Sequence, residues 1–305
     1  MFVDNLPSGE MTIPTDLLIE RARRFRALHA ARAPLVLPNA WDVPSARTFE
    51  DAGFSAVATS SAGIMVSRGY PDGERMPLPE LVEAVERIAS RLRIPLSADV
   101  VAGYGTTPAA VGRTVRRMLQ AGAVGVNLED HNPASGKLFP LEVQLQRIRA
   151  GLRAGEEYGV PLVLNARTDA LKHAPGGESA RFEEAIRRAE AYRDAGADCV
   201  YPMGLTERSA IRDFVEAVRC PVNVMVRQGL PPLRELARLG VKRVSFGPSA
   251  SYATFGLLQR ASREVLTRGT FRTLVEGAIT FDELNLLAEP RRSPPGRGTG
   301  RRVAS

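Results

Sequence analysis

"LQAGAVGVNLED", Leu119 to Asp130, shows the unit from which the whole chain is built. A helical pattern stops at Ala121-Gly122, an apolar run follows without alternating polar residues, and the run closes on two acids, Glu129 and Asp130. Glycine is the usual left-handed cap of a helix. A strand that does not alternate is buried on both faces, as in a parallel sheet covered by helices.

The same unit recurs in both directions from there. Apolar runs occupy 34–41, 55–61, 95–101, 125–130, 161–167, 199–204, 221–226 and 243–248. Between them lie amphipathic stretches such as "LPELVEAVERIASRL" and "RFEEAIRRAEAYRDAG", apolar at steps of three and four. "EDAGF", "RDAGAD" and "ARLGVKR" repeat the glycine punctuation. Eight strand-helix units without a GxGxxG turn predict a closed (β/α)8 TIM barrel rather than an open doubly wound sheet. An extra helix, "DLLIERARRFRALHA", precedes the first strand, with His29 expected at its surface. Two further helical segments, "YATFGLLQRASREVLTRG" and "FDELNLLA", follow the last and are expected to cap the barrel or pack on another subunit. The domain reading is a flexible 1–15, one barrel domain over 16–289, and a disordered tail over 290–305.

Composition narrows the class. A chain of 305 residues, 44% hydrophobic and 25% charged, is that of a globular protein. It has no uninterrupted apolar span and no basic-then-apolar leader, which predicts a cytoplasmic protein with no membrane partner. The net charge of +7 reflects the tail, whose five arginines and no acids leave about +2 for the rest, so nucleic acid is not expected as a partner. Cys199 and Cys220 lie in or beside apolar runs with no zinc spacing and read as small buried hydrophobes.

Barrel chemistry sits where the strands end. Those ends supply Asn39, Trp41, Asp42, Thr59, Ser60, Ser61, Asp99, Glu129, Asp130, Asn165, Arg167, Asp169, Met203, Asn223 and Gly247. Asp99 and Glu129, oxygen ligands without His or Cys beside them, suit a hard cation such as Mg2+, with Mn2+ as the alternative. The competing reading makes Asp99 a helix cap or the partner of Arg167.

Five motifs in order, "NAWDVPSARTFEDAGFSAVATSSAG" (39–63), "GYPDGE" (69–74), "DVVAGYG" (99–105), "GVNLEDH" (125–131) and "LNARTDA" (164–170), make the chain resemble the isocitrate lyase and phosphoenolpyruvate mutase superfamily. Within it the resemblance is to the 2-methylisocitrate lyase-like and carboxyvinyl-carboxyphosphonate phosphorylmutase-like branch. It implies a homo-oligomeric barrel, dimer or tetramer, that binds Mg2+ and a small 2-oxo acid or phosphonate. Such enzymes make or break a C–C or P–C bond beside the carbonyl through an enolate. Asp99 and Glu129 would hold the metal, mostly through waters. Arg167 would clamp a substrate carboxylate, Ser60, Ser61 and Ala62 would offer backbone donors, and Asp72 would sit on a loop near the metal.

Two departures qualify that picture. Relatives carry a second acid two residues after the first, where this chain has Val101, so the metal is expected to be weakly held. The lyase branch carries a cysteine on the loop after the fourth strand, whereas this loop reads "EDHNPASGKLFP", which argues against cysteine-dependent isocitrate or methylisocitrate cleavage. Lys137 resembles the lysine of a mutase-type loop, and His131 is placed as an acid or base. His173 is expected on a lid-like loop, and Tyr104 and Asn223 are expected to line the pocket. A degenerate relative that only binds small acids is the alternative.

Overall fold

The computed structural model describes residues 13–289. The chain runs α1 (Thr15–Ala30), β1 (Leu35–Leu37), β2 (Asn39–Ala40), α2 (Val43–Asp51), β3 (Val57–Thr59), α3 (Ser61–Ser67), α4 (Leu78–Ala89), β4 (Leu96–Asp99), α5 (Pro108–Gln120) and β5 (Gly125–Glu129). A small antiparallel pair, β6 (His131–Asn132) and β7 (Lys137–Leu138), leads to α6 (Leu141–Tyr158), β8 (Val163–Thr168), α7 (Ala170–His173), α8 (Glu178–Asp194) and β9 (Cys199–Pro202). Then come α9 (Arg208–Val218), β10 (Asn223–Met225), α10 (Leu233–Arg238), β11 (Arg243–Ser245), α11 (Ser249–Arg268), α12 (Arg272–Val275) and α13 (Phe281–Ala288).

The first predicted strand is split at Pro38, which has no N–H to give a neighbour. Its two halves pair on opposite sides, β1 with β11 and β2 with β3. Parallel pairing continues through β4, β5, β8 and β9, and a bridge between Val200 and Val222 joins β9 to the β10 segment, which pairs with β11. The ring is therefore closed, and each of the eight predicted runs contributes one barrel stave. No helix among the described residues is long and apolar enough to cross a membrane. The tail at 290–305 and most of the 1–15 segment lie outside the described residues.

The lower end of the barrel is plugged by α1. Phe25 is fully buried and lies so close to β5 that a Cβ on Gly125 would stand 2.6 Å from its ring, so glycine is required there. His29 corrects the expectation of a surface residue. It is 4% exposed, stacks edge-on against Phe25 at 4.9 Å and faces the Phe25 carbonyl through Nδ1 at 2.9 Å. A helix outside the barrel was legible, but not which side of it meets the barrel.

Burial, with the Arg243 charge nearby, pulls the His29 pKa down to about 4. The unfolded chain therefore binds this proton more readily than the folded one, and stability is lost as pH falls from the ordinary histidine value toward the folded value. The part due to His29 should reach about 2 kcal/mol at pH 5. Urea unfolding at pH 7.5 and 5.0 checks it: His29→Gln should show a pH loss smaller by that amount, and identical losses in both proteins would refute the assignment.

The end of the chain behaves differently. Across its length α11 buries only Ser251 and Ala261. Leu266, Phe271, Val275 and Phe281 are all more than half exposed, while α13 returns to α2, where Arg47 donates to the Leu286 and Glu289 carbonyls.

Candidate active site

Side chains at alternate positions of a strand share a face. On the barrel staves this puts Ser97 and Asp99, Asn127 and Glu129, Asn165 and Arg167, Asn223 and Met225, and Arg243 and Ser245 around one cavity of about 190 Å³. Asp72, Ser60, Ser61 and Ala62 complete its rim, and Tyr201 and Met203 stand on the side of β9.

Asp99 is tied into the rim rather than free in it. Its Oδ2 accepts from the Ser61 hydroxyl at 2.6 Å and the Ser61 N–H at 3.1 Å, where α3 begins. Its Oδ1 accepts from Asn127 Nδ2 at 3.1 Å, and Asn127 Oδ1 in turn accepts from Asn165 Nδ2 at 2.8 Å. The turn that follows is held from outside. Arg147, fully buried, donates to the Ala102 and Gly105 carbonyls, and Glu74 accepts from the Tyr104 N–H at 2.7 Å. Val101 sits in that turn at φ 52°, a conformation a β-branched residue adopts only under strain.

Arg167 does not pair with Asp99. Its Nη1 donates to Glu129 at 2.6 Å, while Nε and Nη2 form a fork on Asp169 at 2.9 and 2.8 Å. Three of its five N–H bonds are thus committed to protein carboxylates. Asp169 is fixed in turn through its backbone N–H, which donates to the fully buried Asp130. Asp130 also accepts from Thr168, Arg188 and Tyr192, which identifies it as a structural acid.

The site gathers more negative charge than its cations offset. Asp72 is exposed at the rim, and partial loss of water around its carboxyl together with the charge of Asp99 raises it above the ordinary range. Burial likewise raises Glu129 well above that range despite Arg167, with repulsion from Asp169, Asp99 and Asp72. Oxygen donors under mutual repulsion are the chemistry that a hard divalent cation relieves. Among the described residues no three acids, histidines or cysteines stand close enough to chelate an ion directly.

The expected residues divide in two. Ser60, Ser61, Ala62, Asp72, Asp99, Glu129, Asn165, Arg167 and Asn223 meet at the cavity. Trp41, Asp42, Tyr104 and Lys137 do not line it. Asp42 is an exposed helix cap, accepting from the Ser45 N–H at 2.8 Å in a reciprocal box, because a short acid before a helix has that local use first. Tyr104 packs against the core, and Lys137 is exposed on β7. Two of the donors expected from backbone are already used, Ser60 N–H by the Ala40 carbonyl and Ser61 N–H by Asp99.

His131 and His173 occupy an adjoining recess, shared with Asp72, Glu129 and Arg167 and flanked by Lys172 and Arg75. Their rings stack at 4.2 Å, with His173 on the short helix α7 rather than a free loop. The reading of strand ends passed over Asn127, Ser97 and Arg243. Stepping back two residues from each strand end finds Asn127 and Ser97, because the inward face repeats with that period. Both cysteines are free, Cys199 buried and Cys220 half-buried, and burial pushes each thiol up to about 12.

The closed parallel barrel thus presents carboxylates and one committed guanidinium together at its C-terminal rim. The profile of the phosphoenolpyruvate phosphomutase family matches residues 25–266, and the chain belongs to that family, within the PEP mutase/isocitrate lyase superfamily. It is 31% identical over 278 residues to the 2-methylisocitrate lyase of Escherichia coli (strain K12), covering 86% of this chain and 90% of that one. A solved structure from Burkholderia cenocepacia J2315 superposes with a TM-score of 0.82 at 36% identity, covering 89% of this chain and 96% of the other. The structure of oxaloacetate acetylhydrolase in complex with the product oxalate gives 0.77 at 27% identity, covering 88% and 94%.

Proposed function

We propose that the protein is a Mg2+-dependent enzyme that cleaves or rearranges a C–C or P–C bond next to the carbonyl of a small 2-oxo acid or phosphonate. The observation that carries this reading is the convergence of Asp72, Asp99 and Glu129 on one cavity beside Arg167. Asp99 and Glu129 would hold the cation through its waters, with Asp72 beside them. The bound cation would polarise the oxo group and stabilise the negative charge that develops as the bond breaks.

The chain's own part is positioning. Ser61 and Asn127 fix the orientation of Asp99. Asp169 fixes that of Arg167, which has three N–H bonds left for a substrate carboxylate once Glu129 turns to the cation. His131 lies next to the cavity, where it can hold or accept a proton during bond cleavage. The hairpin between β5 and α6 carries no cysteine for that step. Assembly belongs to the same reading: the exposed apolar side chains of α11 to α13 form a face that a second copy would cover, giving a dimer or tetramer. Residues 16–289 are taken as its single folded unit.

The experiment is a panel of oxaloacetate, phosphonopyruvate, phosphoenolpyruvate and branched 2-hydroxy tricarboxylates with and without Mg2+, read by pyruvate release and phosphorus NMR. Val101→Asp adds the missing anchor for a metal water at a residue type that tolerates left-handed backbone, and should tighten Mg2+ by roughly tenfold in calorimetry. If wild type shows no Mg2+-dependent binding of pyruvate or oxalate and Val101→Asp restores none, the small-acid binding protein replaces the enzyme.

A further inference from the structure

Arg243 stands at the bottom of the same cavity, on β11, in register with Leu35 and Asn223. It is 2% exposed, yet among the described residues it has no carboxylate partner, and its Nε and Nη1 have no acceptor. Buried Arg21 also has an orphaned Nε, but it donates through Nη2 to the Leu92 carbonyl at 2.7 Å. Arg147, Arg167 and Arg188 each donate to three or more acceptors. The ring of Phe25, 5.9 Å below, offers Arg243 only a weak π contact. A buried charge without a partner is costly, and proteins retain one where a ligand completes it.

Two residues that line this cavity also carry a buried oxygen without a partner, Ser97 through Oγ and Asn165 through Oδ1. A barrel interior is ordinarily filled with branched apolar side chains. Here it carries Asn39, Ser97, Asn127, Asn165, Asn223 and Ser245. The cavity is consequently polarised along the barrel axis, acids at the rim and one free guanidinium at the floor.

We infer that the floor of the cavity is an anion subsite in which Arg243, with Ser97 beside the same cavity, receives a second acidic group of the ligand, so that the protein selects small dianionic acids over monocarboxylates. This rests on the proposed 2-oxo acid site above it. A ligand with one acidic group at the rim and another at the floor fits both the charge pattern and the depth over which polar groups continue. Arg243 is then a specificity-determining residue, and the cost of burying its charge is recovered when the ligand is bound.

The test uses 2-oxobutyrate and oxaloacetate, which share a four-carbon 2-oxo acid skeleton and differ by one carboxylate, titrated by calorimetry with Mg2+ into the full chain. Wild type should prefer oxaloacetate by about 30-fold, the order expected for one charge-assisted contact. Arg243→Met should bring the two within about threefold while leaving 2-oxobutyrate nearly unchanged, and Arg243→Lys should keep most of the preference. Without ligand, Arg243→Met should melt at or above wild type, because it removes an unpaired buried charge. A preference that survives Arg243→Met, or a collapse of the unliganded variant that marks Arg243 as a core strut, would overturn the subsite. If neither oxo acid binds wild type, the 2-oxo acid reading fails by itself. Succinate then judges the floor: binding lost in Arg243→Met supports the subsite, and binding unchanged or absent in wild type overturns it.

Discussion

Arg167→Met should destabilise the protein by about 3–5 kcal/mol and lower kcat/KM by about a thousandfold. Glu129 is 7% exposed and Asp169 is 3% exposed, and the guanidinium that joins them is their shared cation. Removing it leaves two buried carboxylates facing each other with Asp99 and Asp72 close by, which is far more expensive than losing a surface pair. Methionine matches the aliphatic length of arginine, so packing loss is a minor part. Mg2+ at saturating concentration should return part of the stability, since a cation then stands among the same acids. Urea unfolding with and without Mg2+ measures both effects. A loss below about 1 kcal/mol, with no response to Mg2+, would mean that the acids do not depend on this cation.

Asp99→Asn should abolish Mg2+-dependent turnover, a loss of at least about a thousandfold, while the fold survives. The reason for choosing asparagine over alanine lies in the hydrogen bonds. Alanine would strand the Ser61 N–H and the Asn127 amide, each a buried donor left without an acceptor. Asparagine can keep its oxygen on Ser61 and turn its amide toward Asn127. The Asn127 and Asn165 amides can then reverse in sequence, because Asn165 Oδ1 at the far end has no partner to lose. The melting temperature should therefore stay near that of wild type while Mg2+ binding, followed by calorimetry with oxalate present, disappears. Turnover within tenfold of wild type would remove Asp99 from the metal-holding role.

The sequence was most informative about the frame. Unbroken apolar runs, such as "PLVLNAR" at 161–167, have only one stable environment, between a neighbour strand on each side and a helix layer outside. Their number and glycine punctuation then leave little but a barrel. The strand ends were legible for the same reason, since a carboxylate such as Asp99 after three buried residues must reach the rim. Lys137 and Asp42 show the limit. Both have the right chemistry near the right motif, yet one lies on an exposed hairpin and the other finds its hydrogen bonds three residues away.

By itself, then, the sequence determined the closed parallel barrel, its helical punctuation and the acids at its rim, because these follow from local periodicity and from which residues can be buried on two faces. Tertiary structure alone decided the rest. Arg167 pairs with Glu129 and Asp169 rather than Asp99, His29 turns inward onto Phe25, and Arg243 is left unpaired at the barrel floor. The Arg167–Glu129 pair and the isolation of Arg243 depend on which side chains from different staves meet inside the ring, and the burial of His29 depends on which side of α1 meets the barrel. Charge pairing and burial at a barrel axis are set by the register between strands, and no stretch of sequence encodes that register alone.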